Sequence, residues 1–330
     1  MAVGMTGLSV LVTGASGFVG QRLCQRLVND GCAVRCAVRS SERLAAAFQF
    51  PRLEQFVIED IGPETDWTKA LCGIDTVVHL AARVHLMNDS AADPLAEFKY
   101  VNVRGTERLA QMAANAGVKR IVFTSSVKVH GEERDIRYHE SDPLMPQDSY
   151  GISKMEAERV LRQIESETGL EVVVVRPPLV YGPGVKANFL TMVKVIASGF
   201  PLPLASVANK RSMIYVDNLV DALSVCVRHP AAAGRSYLVS DGDDVSTPEL
   251  IRRVSSALNR PARLYPFPIR FLRIIGRLLG KSPAVERLTG TLQVDISNIQ
   301  SELGWRPPFT MQEGLSTTAA WFNCASGTKP

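Results

Sequence analysis

The sequence predicts an α/β protein, a doubly wound parallel (Rossmann) sheet with a smaller C-terminal lobe. Short apolar segments alternate with helical periodicity through the first half of the chain, as in repeated strand–helix–strand units. The predicted strands are continuous apolar runs, which is typical of strands buried on both faces of a parallel sheet. A glycine-rich segment at residues 14–20 joins the first strand to the first helix.

The predicted elements follow in a regular order. The first strand covers residues 8–13, and the first helix runs through Leu23, Leu27 and Val28 to a breaker at residues 29–31. Five more strands are predicted at 33–38, 55–59, 76–80, 120–124 and 171–175, with helices at 102–116 and 150–168. Because crossovers between parallel strands are right-handed, these helices cover both faces of one sheet.

The pattern loosens beyond residue 177, where prolines recur at positions 177, 178, 183, 201 and 203. We therefore expect two lobes. Residues 1–177 together with 214–239 form the nucleotide-binding Rossmann domain. Residues 178–213 together with 240–330 form the substrate-binding lobe.

Composition and charge narrow the class of function. The chain is 46% apolar and 21% charged, and its net charge of +4 includes no long run of Lys and Arg, so no nucleic-acid partner is expected. No apolar run approaches the roughly 20 residues of a membrane span, and no signal peptide is recognisable. We therefore expect a cytoplasmic protein without an integral membrane segment. The six cysteines form no Cys-x-x-Cys pair, so no metal site is predicted.

The segment after the first strand predicts a dinucleotide site. Gly14, Gly17 and Gly20 allow a tight turn and close approach of the backbone to a pyrophosphate, which a helix N-terminus attracts. The other residues predicted to line the cofactor are Ser16, Phe18 and Val19 in this segment, Asp60 and Ile61 after the third strand, and Leu80, Ala81 and Ala82 after the fourth.

The end of the second strand bears on which dinucleotide binds. An acidic residue there would bind the adenosine ribose of NAD, whereas an arginine would pair with the 2′-phosphate of NADP. The strand ends in Arg39-Ser40, with no carboxylate before Glu42. We therefore predict NADP (as NADPH), with NAD less favoured; the alternative is that Arg39 is a solvated arginine at a strand end.

Tyr150 and Lys154 are four residues apart and share one face of a predicted helix. A nearby ammonium would lower the tyrosine pKa from its ordinary value of about 10 and so allow proton transfer near neutral pH. Thr124, Ser125 and Ser126 follow the fifth strand, at the sheet edge where open α/β sheets bind ligands. One of these hydroxyls can bind a substrate oxygen that develops charge. Ser125 could instead satisfy the strand-end backbone.

Together these residues resemble the extended short-chain dehydrogenases/reductases, which include nucleotide-sugar epimerases, dehydratases and reductases. The resemblance covers residues 8 to about 315. It rests on the glycine segment 14–20, His79-Leu-Ala-Ala82, Asn102-Val-Arg-Gly-Thr106, Ser125-Ser126, Tyr150-x-x-x-Lys154 and Arg176-Pro-Pro-Leu-Val-Tyr-Gly-Pro-Gly184. It implies a homodimer as well as the two-lobed fold.

The resemblance also implies roles for individual residues. Ser126, Tyr150 and Lys154 match the family's catalytic residues; the lysine and tyrosine also bind the cofactor, and the serine and tyrosine the substrate. Pro177 matches a segment that passes near the nicotinamide.

In the second lobe, Asn188 and Arg211 match residues that hold the substrate's diphosphate, although Arg211 could be no more than an exposed hairpin residue. A histidine, His130, stands where many relatives carry a tyrosine before the glycine. Because of this difference, the resemblance does not define which residues form the wall of the sugar pocket.

The catalytic trio alone does not select a reaction. A dehydratase of this family carries a carboxylate pair after the catalytic hydroxyl, whereas Ser126 is followed by Val127-Lys128. Arg39 favours exchangeable NADPH over the tightly held NAD of an epimerase. The sequence resembles bacterial reductases of UDP-2-acetamido-2,6-dideoxy-hexos-4-ulose, which implies reduction of the C4 keto group in O-antigen (surface polysaccharide) precursor synthesis. A UDP-hexose 4-epimerase, a reductase of another carbonyl compound and a non-catalytic NADP-binding regulator stay open as alternatives.

Two further features lie outside these motifs. His85, His130 and His139 have no companion at metal-ligand spacing, and we interpret them as neutral surface histidines. Residues 267–281 combine basic and apolar residues at helical spacing. A helix packed on the second lobe is the favoured interpretation, and contact with an anionic membrane is the alternative.

Overall fold

Seven parallel strands form the central sheet of the protein, in a computed structural model that describes residues 7–39, 53–84 and 93–326. The described strands are β1 (Ser9–Thr13), β2 (Ala33–Val38), β3 (Leu53–Val57), β4 (Thr76–His79), β5 (Arg120–Thr124), β6 (Glu171–Arg176), β7 (Leu179–Tyr181), β8 (Met213–Tyr215) and β9 (Ser236–Leu238). Their order in the central sheet is β3-β2-β1-β4-β5-β6-β9, and β7 and β8 pair separately. The strand order reverses between β1 and β4, and a crevice for a ligand opens at such a reversal.

Helices cover both faces of the sheet. The described helices are α1 (Phe18–Asn29), α2 (Thr68–Leu71), α3 (Pro94–Lys99), α4 (Gly105–Asn115), α5 (Ser149–Thr168), α6 (Ala187–Ala197), α7 (Val216–Arg228), α8 (Thr247–Ala257), α9 (Ile269–Leu278), α10 (Ser282–Thr289), α11 (Ser297–Leu303) and α12 (Met311–Ala325). Leu23 of α1 and Leu223 of α7 lie in the apolar core on one face, whereas Leu109 of α4 and Leu161 of α5 lie in the core on the other. The doubly wound fold class predicted from the sequence is confirmed.

A third apolar core lies in the second lobe, between β7, β8, α6, α8 and α12. A buried carboxylate joins this lobe to the sheet. Asp241, which follows β9, accepts hydrogen bonds from the Tyr181 hydroxyl (2.7 Å), the Tyr215 amide (2.8 Å) and the Asn218 side chain (2.7 Å). Asn218 also exchanges two hydrogen bonds with the backbone of Phe309, just before α12.

The structure differs from the predicted elements in two places. The third strand lies two residues earlier than predicted, at Leu53–Val57, because it is an edge strand with exposed residues and a weak apolar signal. The helix predicted at 102–116 begins earlier and is not regular. It starts with α3, continues through a π-helical turn over Tyr100–Arg104 and ends with α4. Within the described parts of the chain, no helix is both long and apolar enough to cross a bilayer.

Candidate active site

The glycine segment turns tightly against the end of β4. Gly14 has φ +69°, and a Cβ added to it would lie 2.8 Å from the backbone nitrogen of Ala81. The Gly17 amide donates to the Gly14 carbonyl over 2.9 Å, and a side chain at Gly20 would overlap that same carbonyl. Gly14 adopts a left-handed backbone and Gly20 leaves no room for a Cβ, so both positions require glycine.

The N-terminus of α1 follows this turn with its amide groups free for a ligand. Gly17 is the N-cap residue, no side chain caps the helix, and its first turn contains no acidic residue. Uncapped amides and the positive end of the helix dipole suit a pyrophosphate. Ser16, Phe18 and Val19 are half-buried around the turn, so these residues fit a dinucleotide.

A cavity of about 690 Å³ lies beside the same helix N-terminus. Its lining includes Ser16, Gly17, Phe18, Arg22, Pro183 and Lys186, and therefore joins the glycine turn to the second lobe. Ser126, Tyr150 and Lys154 do not line it.

The residues predicted to hold the adenosine end lie at the edge of the sheet. Arg39 is exposed at the end of β2 and forms no ion pair with any described residue, whereas Ser40 lies outside the described residues. Asp60 is exposed, and Ile61 is buried against Gly105, where a side chain at 105 would collide with it. Leu80, Ala81 and Ala82 are half-buried beside the glycine turn.

A buried histidine connects β1, β4 and the helix after the π turn. His79 Nδ1 lies 2.6 Å from Thr13 Oγ1, and His79 Nε2 lies 3.0 Å from Thr106 Oγ1. The Thr106 hydroxyl donates to the carbonyl of Asn102 over 2.7 Å, so it accepts from Nε2–H, and Thr13 donates to Nδ1. Burial, with the nearby charge of Lys154, lowers the pKa of His79 to about 3. His79 is therefore a neutral structural residue at the crevice.

Lys154 is buried on α5 next to the end of β5. Its ammonium donates to the carbonyl of Thr124 over 2.8 Å and lies 4.4 Å from the centre of the Phe123 ring. Burial lowers the pKa of Lys154 to about 7, opposed by the charge of Glu158. Its proton is therefore easily exchanged near neutral pH.

Tyr150 lies one helical turn before Lys154 and is half-buried, with its ring 6.3 Å from the ring of Phe98. Burial and then the charge of Asp148 raise the pKa of Tyr150 above its ordinary value. This direction is opposite to the shift expected from Lys154, because desolvation of the phenolate is the largest effect in the chain by itself. The phenol is therefore protonated at neutral pH.

Three hydroxyls lie at the end of β5, and two of them have no partner among the described residues. The buried side-chain oxygens of Thr124 and Ser125 form no hydrogen bond, so Ser125 does not satisfy the strand-end backbone as one alternative supposed. Ser126 is buried and caps the short 3₁₀ turn Val127–Val129 by accepting from the Lys128 amide over 3.2 Å. Pro177 is buried, and its carbonyl accepts from the Val127 amide over 3.0 Å.

A buried ion pair joins α5 to the end of β6. Arg176 at the end of β6 pairs in a bidentate manner with Glu158 of α5, over 3.0 and 2.6 Å. Arg176 also donates to His130 Nε2 over 3.0 Å, and burial lowers the pKa of His130 to about 4. His130 is thus neutral but buried, so its interpretation as a surface residue is wrong; His139 is exposed, and His85 lies outside the described residues.

Asn102 is a supporting residue whose role the motif alone did not reveal. Its side chain accepts from the Arg83 amide over 2.8 Å and donates to the Arg83 carbonyl and to Ser153 Oγ, each over 3.0 Å. The segment after β4 is thereby fixed to the catalytic helix. The asparagine between two valines could have indicated a buried polar residue. Its hydrogen-bond partners could not be predicted, because they lie far from it in sequence.

The two residues predicted to hold a diphosphate differ in exposure. Asn188 is exposed in the first turn of α6. Arg211 is half-buried, its backbone pairs with Val245, and its guanidinium donates to the carbonyl of Gly290 over 3.1 Å. It is therefore not an exposed hairpin residue. No group of three or more potential metal ligands occurs among the described residues.

Comparison with known proteins gives concordant matches. Residues 10–240 match the profile of the NAD dependent epimerase/dehydratase family. The chain is 44% identical to a UDP-glucose 4-epimerase of Vibrio cholerae, with 95% of each chain covered. It is 31% identical to the N-acetyl-alpha-D-glucosaminyl-diphospho-ditrans,octacis-undecaprenol 4-epimerase of Escherichia coli O157:H7, with 94% of each covered. Among solved structures it resembles MoeE5 in complex with UDP-glucose and NAD, with TM-score 0.77, 25% identity, and coverage of 96% of this chain and 99% of that one.

Proposed function

The chain belongs to the NAD dependent epimerase/dehydratase family, and on that basis we propose that it reduces the C4 keto group of a UDP-linked 4-keto-6-deoxy-N-acetylhexosamine with NADPH. Ser126, Tyr150 and Lys154 would be its catalytic residues. The glycine turn at Gly14 and Gly17 would hold the pyrophosphate of the cofactor. The cytoplasmic location, the homodimer and a place in O-antigen precursor synthesis stay predictions.

The proposed step converts a ketone into an alcohol. A bound reduced nicotinamide supplies the hydride that forms the new C–H bond at C4. Ser126 donates a hydrogen bond to the carbonyl oxygen, and Tyr150 transfers its phenolic proton to that oxygen as negative charge develops there. Lys154, within the same buried site, then returns a proton toward the phenolate, and its pKa of about 7 suits this exchange.

A protonated Tyr150 fits the role of proton donor in reduction, but a tyrosine of ordinary pKa is also protonated at neutral pH, so protonation does not select between reduction and epimerisation. Reduction requires a phenol that donates, whereas oxidation of a sugar hydroxyl requires a phenolate that accepts. Burial and Asp148 raise the pKa of Tyr150, so the donor form predominates in the chain by itself.

The position of Arg39 is the observation on which we propose a reductase rather than an epimerase. This arginine is exposed at the end of β2, free of ion pairs with described residues, and available to a 2′-phosphate. A 4-ketoreductase consumes its reductant in each turnover and needs an exchangeable cofactor. An epimerase regenerates its cofactor within one catalytic cycle and has no such need.

A UDP-hexose 4-epimerase is the second candidate. The 44% identity to the Vibrio cholerae UDP-glucose 4-epimerase favours it, and so does the NAD bound by MoeE5. Tyr150 and Lys154 serve both reactions, because an epimerase performs the same hydride transfer in both directions.

One assay separates the candidates. NADPH oxidation is followed with a panel of UDP-linked 4-keto sugars, with NADH as the cofactor control, and UDP-glucose and UDP-N-acetylglucosamine are incubated in parallel without reductant. The proposal expects NADPH-dependent reduction of a 4-keto sugar and no epimerisation. Epimerisation without reductant, together with tightly copurified NAD, would instead establish the second candidate.

A further inference from the structure

One helix of the second lobe exposes an apolar face to solvent. Within α9, Phe271 is 56% and Leu278 80% exposed, and Ile274 and Ile275 are also exposed. Gly276 is the one buried residue of the helix, packed against Val285 of α10. The segment is a helix that packs on the second lobe along one side, as predicted, whereas its opposite side is exposed.

The side chains of α9 fall into three strips. At about 100° per residue, Ile269, Leu272 and Gly276 share the side that faces the protein, and the first two contact the second-lobe core. Phe271, Ile274, Ile275 and Leu278 form the exposed apolar strip. Arg270, Arg273 and Arg277 lie along one flank of that strip. An apolar face bordered by cations is typical of a helix that lies in a membrane interface.

The stretch of sequence that contains α9 carries charge of one sign as far as Glu286, an exposed residue of α10. Residues 259–285 contain no Asp or Glu and carry six cations, at Arg260, Arg263, Arg270, Arg273, Arg277 and Lys281. Because the whole chain has a net charge of +4, the rest of it carries −2. None of the six forms an ion pair with a described residue, so they are available to an anionic partner.

Two exposed aromatic residues extend this surface beyond the helix. Phe200 is 63% and Tyr265 55% exposed. Their segments are hydrogen-bonded to each other, since the Leu202 amide donates to the Arg263 carbonyl over 2.8 Å and the Tyr265 amide to the Leu202 carbonyl over 3.0 Å. Tyr265 leads directly into α9 through residues 266–268. A tyrosine favours the level of lipid headgroups, and a phenylalanine suits an apolar face that inserts below them.

We propose that α9, with Phe200 and Tyr265 beside it, docks the protein on the surface of an anionic phospholipid bilayer. The apolar strip would enter the boundary between headgroups and acyl chains, and the arginines would bind lipid phosphates. A second copy of the chain is a poor partner, because a symmetric contact would place the six cations of one copy against the six of the other. The proposal is independent of which sugar reaction the active site catalyses.

Vesicle co-sedimentation of the full chain tests this proposal. Vesicles of phosphatidylcholine with phosphatidylglycerol should pellet the protein at low salt, vesicles of phosphatidylcholine alone should not, and added salt should release it. Arg273→Glu with Arg277→Glu should weaken binding at least about tenfold, since each cation contributes to attraction by anionic lipid. Ile274→Ser with Leu278→Ser should weaken it similarly by removing the inserted strip.

Matched charge reversals at exposed sites elsewhere, Arg159→Glu with Arg306→Glu, should leave vesicle binding unchanged. Circular dichroism and turnover of the sugar substrate show that each variant is folded. The proposal is overturned if the protein does not bind anionic vesicles, or if the control pair weakens binding as much as the α9 pair. It is also overturned if Ile274→Ser with Leu278→Ser alters the sedimentation mass without altering vesicle binding, because the strip would then join two copies.

Discussion

The ammonium of Lys154 donates a 2.8 Å hydrogen bond to the carbonyl oxygen of Thr124, the last residue of β5. This bond fixes the second turn of α5 to the carboxyl edge of the sheet. Tyr150, one turn earlier on the same helix, is therefore held near that edge of the sheet. A side-chain to backbone hydrogen bond thus positions α5 against the end of β5.

Replacing Tyr150 by phenylalanine should remove turnover and spare cofactor binding. Loss of the proton donor is expected to lower kcat by roughly 100- to 10,000-fold, whereas the ring and the Phe98 contact are kept. Steady-state rates and NADPH titration by fluorescence measure the two effects. Tyr265→Phe, at an exposed tyrosine remote from α5 in sequence, is the matched control. Wild-type turnover in Tyr150→Phe would refute the catalytic assignment.

Arg39→Ala should weaken NADPH binding by roughly 10- to 100-fold, because charge-assisted hydrogen bonds to the 2′-phosphate are lost. NADH binding should hardly change, since NADH has no 2′-phosphate. Titration of both cofactors with wild type and variant gives the ratio, and Arg104→Ala is a control at another exposed arginine. If the binding of NADPH and of NADH were weakened equally, Arg39 would not bind the 2′-phosphate.

Glu158→Gln should destabilise the protein by about 3–5 kcal/mol, because it leaves the guanidinium of Arg176 buried without a counter-charge. Urea unfolding measures the loss. The double replacement Arg176→Met with Glu158→Leu should cost less than the single one, since no charge is then left buried. Glu167→Gln changes an exposed glutamate of the same helix and should have little effect. A single variant as stable as wild type would show that the pair contributes nothing.

Stability should fall as the pH drops below about 6.5. The folded pKa values of His79 and His130, about 3 and about 4, lie below the ordinary 6.5. The unfolded chain therefore binds more protons in this window, and stability that is complete above pH 6.5 is lost as the pH falls toward these values. Between about pH 8 and pH 5 each histidine should lower the free energy of unfolding by about 2 kcal/mol.

Urea unfolding at both pH values, on wild type and on His130→Gln, measures this linkage. The variant has one titrating buried histidine fewer, so its drop in stability should be smaller by about 2 kcal/mol. An unchanged drop would mean that His130 is already exposed to protons in the folded chain.

Burial explains where sequence-based prediction succeeded. Strand β5 is found at the predicted residues because its core positions are buried on both faces and form an uninterrupted apolar run. Edge strand β3 lacks that signal, and its predicted bounds were therefore two residues too late in the chain. The glycine turn was predictable because its function requires glycine itself, whereas Arg211 is covered by segments near Val245 and Gly290 that no local pattern connects to it.

Partners distant in sequence explain the remaining errors. His130 is buried because Arg176, 46 residues away, donates to it. The raised pKa of Tyr150 depends on burial that exists only once α5 packs on the sheet. Charge and spacing in 267–281 did predict an amphipathic helix, but only packing could show which of its strips faces the protein.

The contacts of Asp241 limit how the protein can move. Segments of the chain that contain Tyr181, Tyr215, Asp241 and Phe309 meet in one buried hydrogen-bonded cluster through Asp241 and Asn218. A hinge motion at Tyr181, Tyr215 or Asp241 would break hydrogen bonds of this cluster. The lobes should therefore behave as one rigid unit, and a ligand should enter through rearrangement of loops at the rim of the cleft rather than through a swing of one lobe.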